Sequence, residues 1–276
     1  MLSVPTVSVC IPTYRGEAYI SEAIESVLAQ DYTDFEVVVI DDNSPDQTAA
    51  LVSSYQDARV RYVKNPSNLG PEGNWNRCLE EAKGRYFKLL PQDDVLAPNC
   101  LGRQVDVLDS DEGQTIALVF CARNIINQHG RVIAKRSYPG CAGGRIKGQN
   151  AIRSSIRFGT NLIGEPGGVM FRKSLTDKAG NFDGSIGYVI DLDYWFRLLV
   201  NGDAYCLTEP LVSFRVSNIS WSVAIGNKQS LNFHRFIDKC ATQKKFKINF
   251  LDIVLGKMLA KINNCLRLAF YKFSKL

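Results

Sequence analysis

The sequence predicts an α/β protein built on an open, mostly parallel twisted sheet, and three observations lead there. Short apolar, β-branched runs alternate with stretches of helical period through the first hundred residues. The run FEVVVI is apolar nearly throughout rather than alternating, as expected of a central parallel strand covered on both faces. Two carboxylate pairs, Asp41–Asp42 and Asp93–Asp94, fall at corresponding strand ends, where ligands bind in sheets of this kind.

The elements follow in order. VSVCIPTY (7–14) is a buried first strand closed by Pro and Thr. From Ala18 to Gln30 the positions Ile20, Ala23, Ile24, Val27 and Leu28 recur at helical spacing. FEVVVIDDNS (35–44) is the central strand with its acidic turn. A helix near Gln47–Tyr55, a strand VRYVKN, a loop PSNLGPEGN and a helix over Trp75–Ala82 come next, then a strand YFKLL and the turn PQDDVLAPN. Further on, IALVFCARNII reads as a strand, Pro139–Gly148 as a mobile glycine-rich loop, and GEPGGVMFRKS as a turn feeding a strand. IDLDYWFRLLVNG reads as an amphipathic helix that begins with acid and ends at Gly202.

Composition narrows the function classes. With 276 residues and 45% hydrophobic content the chain can fill one large core, and 22% charge is ordinary, so global disorder is excluded. No window of about 18 residues is apolar without charge, so no spanning helix is expected. The first residues lack a basic stretch followed by a long apolar one, so no signal peptide is expected and the chain is placed in the cytoplasm. Eight scattered cysteines without a CxxC read as reduced thiols, several of them in the core. His129 and His234 are the only histidines, which leaves little room for a His-based triad or a His-ligated metal. GxxxxGK[ST], GxGxxG after a strand, and GxSxG are all missing, so a nucleotide site here uses carboxylates and a metal rather than a glycine cradle.

Two carboxylate pairs at neighbouring strand ends can hold a divalent cation and a polyol; a single such pair more often starts a turn or caps a helix. Asp191 and Asp193 open a helix containing Trp195 and Arg197. They either offset the helix dipole or supply a general base aimed into a cleft, and periodicity does not separate the two.

From Lys244 onward eight basic residues face Asp252 alone, which leaves the rest of the chain slightly acidic. From Leu251 the apolar Val254, Leu255, Met258, Ile262, Leu266, Ala269, Phe270 and Phe273 recur near every 3.6 residues among Lys257, Lys261, Arg267 and Lys272. One reading is an interfacial helix on anionic lipid. The other is a helix packed on the rest of the chain or on a second copy in a homo-oligomer. A nucleic-acid role has only the same basic residues behind it and is not expected.

Three spaced blocks carry a family resemblance. VSVCIPTYRGEAYISEAIESVLAQDYTDFEVVVIDDNSPDQT, NLGPEGNWNRCLEEAKGRYFKLLPQDDVLAPNCL and VIDLDYWFRL occur in the order found in the family 2 glycosyltransferases, and the likeness runs from Val7 to Phe214. The resemblance implies a GT-A fold over residues 1–220, followed by a basic, mostly helical extension over 221–276. It implies a nucleotide-sugar donor, a divalent cation (Mg2+ or Mn2+) and inversion at the anomeric carbon. Thr13 and Tyr14 then lie in the loop that contacts the nucleobase, and Asp42 recognises the base. Asp93 contacts the ribose or sugar, Asp94 the metal, and Asp191 is the catalytic base; Asn68, Gly70 and Asn76 fall in a block that lines the donor site. Arg15, Pro91 and Ile190 depart from the family's usual Asn, Asp and acidic residue. The QxxRW signature of processive synthases is absent. The implied activity is that of a non-processive hexosyl- or N-acetylhexosaminyltransferase of O-antigen or other surface polysaccharide synthesis, peripheral on the inner face of the cytoplasmic membrane. Its donor would be a UDP-sugar before a dTDP-sugar, and its acceptor a glycan or polyprenyl-diphosphate-linked saccharide. The rivals are a catalytically silent nucleotide-sugar-binding protein of a membrane-associated assembly and a sugar nucleotidyltransferase, whose glycine-rich N-terminal loop IPTYRGEAY does not provide.

Overall fold

A computed structural model describes residues 4–217, 225–226 and 228–273. The boundary placed between residues 220 and 221 lies outside the described residues. Ten strands form one sheet: β1 (Val7–Thr13), β2 (Phe35–Asp41), β3 (Val60–Lys64), β4 (Tyr86–Leu89), β5 (Val95–Leu96), β6 (Ile116–Ile126), β7 (Val132–Arg136), β8 (Gly144–Ile146), β9 (Val169–Arg172) and β10 (Asp203–Arg215). Their order is β3-β2-β1-β4-β9-β6-β10-β5, with β7 against β6 and β8 against β10. The β3-β2-β1-β4 half is parallel, as is the β6–β10 pair, while β9 runs antiparallel between β4 and β6.

The apolar runs make sense once both faces of the sheet are considered. Along β1 and β2, Val9, Ile11, Val37 and Val39 enter one core, and Cys10, Val38 and Ile40 enter the other. Helices α1 (Ile20–Leu28), α2 (Thr48–Ser53) and α4 (Cys100–Asp109) cover the first. Helices α3 (Gly70–Glu81), α5 (Gly148–Phe158), α7 (Ile190–Leu199), α8 (Lys228–Ala241) and α9 (Phe250–Phe273) border the second, and the short α6 (Thr176–Ala179) leads toward α7. No cysteine is bonded to another, and six of the eight are buried. Register Thr13↔Asp41 brings the ends of β1 and β2 side by side, and the turn after β4 joins them at the same edge.

The structure departs from the sequence reading in several elements. Helix α3 begins at Gly70, five residues before the expected start at Trp75. The Asp42 carboxylate accepts the Leu69 and Gly70 N–H groups at 2.8 and 2.9 Å, so a cap from a distant strand end starts the helix where local sequence suggests a loop. Helix α4 lies in a stretch left without an element, although Leu101, Val105 and Leu108 are spaced for it. The glycine-rich loop contains β8 and runs directly into α5, whose apolar face (Ala151, Ile152, Ile156) was also passed over.

Helix α9 packs against α5 and α8. Gly159, at φ +62°, ends α5 where a Cβ would stand 2.4 Å from the Ala260 nitrogen, and a Cβ on Gly256 would stand 2.2 Å from the Ile156 oxygen. The two helices therefore meet backbone to backbone. Asp252, wholly buried, accepts hydrogen bonds at 2.8 Å from the Nε atoms of Arg153 and Arg157, which hold its carboxyl below the usual range against the cost of burial. The outer face of α9 leaves Leu251, Val254, Met258, Ile262 and Leu266 about half exposed. Among the described residues no helix is long and apolar enough to cross a membrane.

Candidate active site

A cavity of about 650 Å³ opens at the carboxyl edge of β1, β2 and β4. Its floor begins where β1 ends. Tyr14 N–H donates to Gln92 Oε1 at 2.9 Å and Gln92 Nε2 returns a bond to the Tyr14 carbonyl at 3.2 Å, which ties the β1 loop to the turn after β4. Thr13 Oγ1 bonds the same Gln92 oxygen. Gly16 is required here, because a Cβ would sit 2.3 Å from Thr13 Oγ1. Thr13 is buried beneath the loop while the Tyr14 ring stands out from it, 41% exposed.

At the end of β2 the two acids take different positions. Asp41 is buried, with Oδ1 accepting from Ser44 N–H and Oδ2 from the Tyr62 hydroxyl; burial and this carboxylate push the Tyr62 phenol well up. Asp42 lines the cavity, although its oxygens already accept from Asn65 Nδ2, Leu69 N–H and Gly70 N–H. Asn68 and Gly70 also line it, and Asn68 Nδ2 reaches the Asp42 carbonyl at 3.3 Å. Asn76 is not among the lining residues. It exchanges bonds of 2.7 and 3.1 Å with the Phe182 backbone and fixes α3 to that loop, while its neighbours Asn74 and Trp75 face the cavity.

The acids after β4 divide in a similar way. Asp93 lines the cavity, and burial raises its carboxyl while Arg215 pulls it back. Asp94 is 0% exposed and is not a lining residue. Its Oδ1 accepts the Arg215 N–H at 3.0 Å, and its Oδ2, without a hydrogen-bond partner among the described residues, lies where a Cβ on Gly167 would approach to 3.3 Å. Burial, with Asp93 beside it, pushes the Asp94 carboxyl well up. The expectation that the second acid meets a cation therefore runs against where its oxygens point; Asp93 is the one that faces the space. Among the described residues no cluster of three or more His, Cys, Asp or Glu could hold a metal. The donor set does not suit a cation caged by protein alone. It does suit Mg2+ or Mn2+ brought in with phosphate oxygens, because such ions are commonly held by one or two carboxylates plus substrate phosphates.

Helix α7 resolves the remaining pair. Asp193 is buried and paired, its Oδ2 with Arg197 Nε and its Oδ1 with Lys239 Nζ, both at 2.8 Å. Asp191, at the first turn, opens on the cavity. Its Oδ2 accepts from Asn161 Nδ2 at 2.9 Å and its Oδ1 from Leu192 N–H at 2.7 Å. Burial, with Glu165 nearby, pushes this carboxyl up to about 7 in spite of both hydrogen bonds. A carboxyl balanced near neutral pH can accept a proton and release it.

Several cavity residues were missed by sequence reasoning. Gln92, Asn161 and Glu165 lie in turns whose partners are distant in sequence, and Arg136, Tyr188, Arg215 and Arg267 come from four separate elements. Only Gln92 carried a local signal, because it adjoins the acidic pair. Arg215 is fully engaged, with Nε on the Asp93 carbonyl at 2.9 Å and Nη2 on Glu22 at 2.5 Å.

Comparisons with known proteins agree with this architecture. The family model described as Glycosyl transferase family 2 matches residues 8–180. An uncharacterized glycosyltransferase of Rickettsia typhi is 30% identical over 214 residues, covering 77% of this chain and 64% of the relative. TarS of S. aureus, solved in complex with UDP-GlcNAc, superposes with a TM-score of 0.69 at 19% identity, over 97% of this chain and 73% of that one. A mannosyltransferase from Pyrobaculum calidifontis, solved with GDP-Man and Mn2+, superposes with a TM-score of 0.64 at 20% identity, over 97% of this chain and 74% of that one. The chain spans about two thirds of the length of the curated relatives it matches.

Proposed function

The chain belongs to glycosyl transferase family 2 and has the GT-A fold, and we propose that it moves one sugar at a time from a UDP-sugar to a hydroxyl of a glycan or lipid-linked saccharide, with inversion. The observation that carries this reading is Asp191, a carboxyl held near neutrality at the cavity wall. In the proposed reaction Asp191 takes the proton of the acceptor hydroxyl as that oxygen bonds to the anomeric carbon. The nucleoside diphosphate departs from the opposite face with the electron pair of the broken bond. Thr13 and Tyr14 border the base, with Asp42, Asn68 and Gly70 as the adjoining wall. A divalent cation held through Asp93 with the donor's own phosphate oxygens would supply Lewis-acid stabilisation of the leaving group. The donor and cation of the two superposed enzymes support both parts of this reading. Asn76 and Asp94 act as braces behind the wall. Melting the protein with UDP, dTDP or GDP, each with and without Mn2+, tests the donor. Stabilisation by UDP that deepens with Mn2+ is expected, and indifference to all three would overturn the reading.

The pH dependence follows from the same carboxyl. Asp191 works as a base only when ionised, so kcat is expected to fall below pH ~7 along a single-proton limb. The Asn161 bond favours the ionised form, so Asn161→Ala should move the limb to higher pH. Rates between pH 5 and 9 decide it, and a wild-type profile flat down to pH 5 would contradict a base held near neutrality.

The half-exposed apolar stripe of α9, together with the exposed Lys261, supports a peripheral seat on an anionic membrane of surface polysaccharide synthesis. The full chain should sediment with vesicles containing anionic lipid and be released by salt, whereas Leu251→Ser with Met258→Ser should stay in the supernatant. Equal recovery on neutral and anionic vesicles would contradict the reading.

A further inference from the structure

One corner of the cavity carries positive charge that the reaction above does not use. Arg123 on β6 and Arg136 on β7 are direct cross-strand partners, so two guanidiniums rise from the same face of the sheet. Like charges placed this way are destabilising. Glu165 pairs with Arg123 and also attracts Arg136 through space, one carboxylate for two guanidiniums. Arg136 reaches the cavity and makes no side-chain hydrogen bond or ion pair among the described residues. Its side chain stays open to the cavity, and desolvation together with the neighbouring Arg123 and Arg267, against the pull of Glu165, holds its pKa below the usual arginine range. Arg267 of α9 comes to the same corner, bonded to the neutral Tyr188 hydroxyl and Gln229 side-chain oxygen, and so keeps its charge. The corner thus holds three guanidiniums against the one carboxylate of Glu165. Tyr271 and Phe233 provide apolar surface beside it.

We infer that Arg136 and Arg267 form a subsite for a phosphate or diphosphate group of the acceptor. Two guanidiniums facing one corner match a dianion, whereas a carboxylate would leave one of them unanswered, and guanidinium forks are well suited to phosphate oxygens. The corner lies away from the nucleobase end of the cavity, since β6 stands three strand positions from β1, about 14 Å at the usual spacing. Tyr188 lies within electrostatic reach of both Arg267 and Asp191, so a group held at the corner would present its attached sugar to the base. The aromatic rings beside the arginines suit the first carbons of a lipid chain. Arg267 and Tyr271 belong to the helix that carries the exposed apolar stripe, so the surface proposed to meet lipid and the corner proposed to hold its phosphate share one element.

This inference rests on the donor reading for which end of the cavity is free, and the test separates the two. Farnesyl diphosphate and inorganic pyrophosphate are titrated calorimetrically into the full chain, first alone and then with UDP and Mn2+ saturating. Farnesyl diphosphate should bind in both conditions, and more tightly than pyrophosphate. Arg136→Ala should weaken it at least tenfold, Arg136→Lys by less, and the UDP affinity of both variants should change by under threefold. Displacement of the probe by UDP would place it in the donor's phosphate site and overturn the inference. Unchanged probe affinity in a folded Arg136→Ala protein would overturn it as well. If UDP binds to no form of the protein, the donor reading fails by itself. The titration without UDP then still decides whether Arg136 holds the diphosphate.

Discussion

Asp191→Asn lowers the rate of sugar transfer by about 10²–10⁴ while nucleoside diphosphate affinity stays within a few-fold of wild type. The asparagine keeps the size of the side chain and its one oxygen can accept from Leu192 N–H or Asn161 Nδ2, so what disappears is the capacity to take a proton together with one of the two hydrogen bonds. Loss of binding together with rate would mean instead that the carboxylate positions the donor. The same substitution has a stability signature of opposite sign. The Asp191 carboxyl titrates near 7 in the folded chain and near 3.8 when unfolded. Between those values the folded state holds a proton that the unfolded state has lost, so stability falls as pH rises, and the penalty is complete above pH ~7. It is on the order of 2 kcal/mol once the water of the cavity is allowed for. The Tm of Asp191→Asn relative to wild type should therefore rise by about 3–4 °C between pH 4 and pH 8. A variant that is inactive and gains on wild type in this way as pH rises is what a base held in an unfavourable place predicts; an inactive one whose stability difference does not change with pH points to a structural role.

The second large effect separates the adjoining acids. Asp93→Ala should lower kcat/KM by about 10²-fold or more and abolish the deepening of UDP binding by Mn2+, because it removes the one carboxylate of that turn facing the cavity. Asp94→Ala should act through the fold, since it strips the Arg215 N–H of its acceptor and empties a buried site, at a cost of about 2–3 kcal/mol. Asp94→Asn keeps an oxygen for that N–H and should be milder. Half-saturating Mn2+ concentrations for the three variants discriminate between these outcomes. A shift in Asp94→Asn without one in Asp93→Ala would return the metal to Asp94.

The parts of this site legible in the sequence were those whose chemistry is local. Runs such as FEVVVIDD announce a buried strand with acid at its end, and IDLDYWFRLL announces a helix with acid at its start. Which member of each pair faces the cavity was not legible from residue chemistry alone; only the family resemblance pointed to Asp42 and Asp191. Three carboxylate pairs occur, and in each the choice depends on partners far along the chain. Tyr62 claims Asp41, Arg215 claims Asp94, and Lys239 claims Asp193. The early start of α3 has the same origin, because its cap comes from β2. The arginine corner left no sequence signal at all. β7, the turn at Glu165 and α9 are brought together only by the completed sheet and by the close crossing at Gly159 and Gly256. Of the two readings left open for the C-terminal segment, the structure packs one face of α9 against the chain and leaves the other apolar and outward.

The most direct test of the account is the release of UDP from a panel of UDP-sugars by wild type and Asp191→Asn, with and without Mn2+, in the presence of a lipid-diphosphate saccharide. The account predicts Mn2+-dependent release from one member of the panel by wild type, and its loss in a variant that still binds UDP. Tight donor binding by wild type with no release under any of these conditions would contradict it, and would describe a silent nucleotide-sugar-binding protein instead.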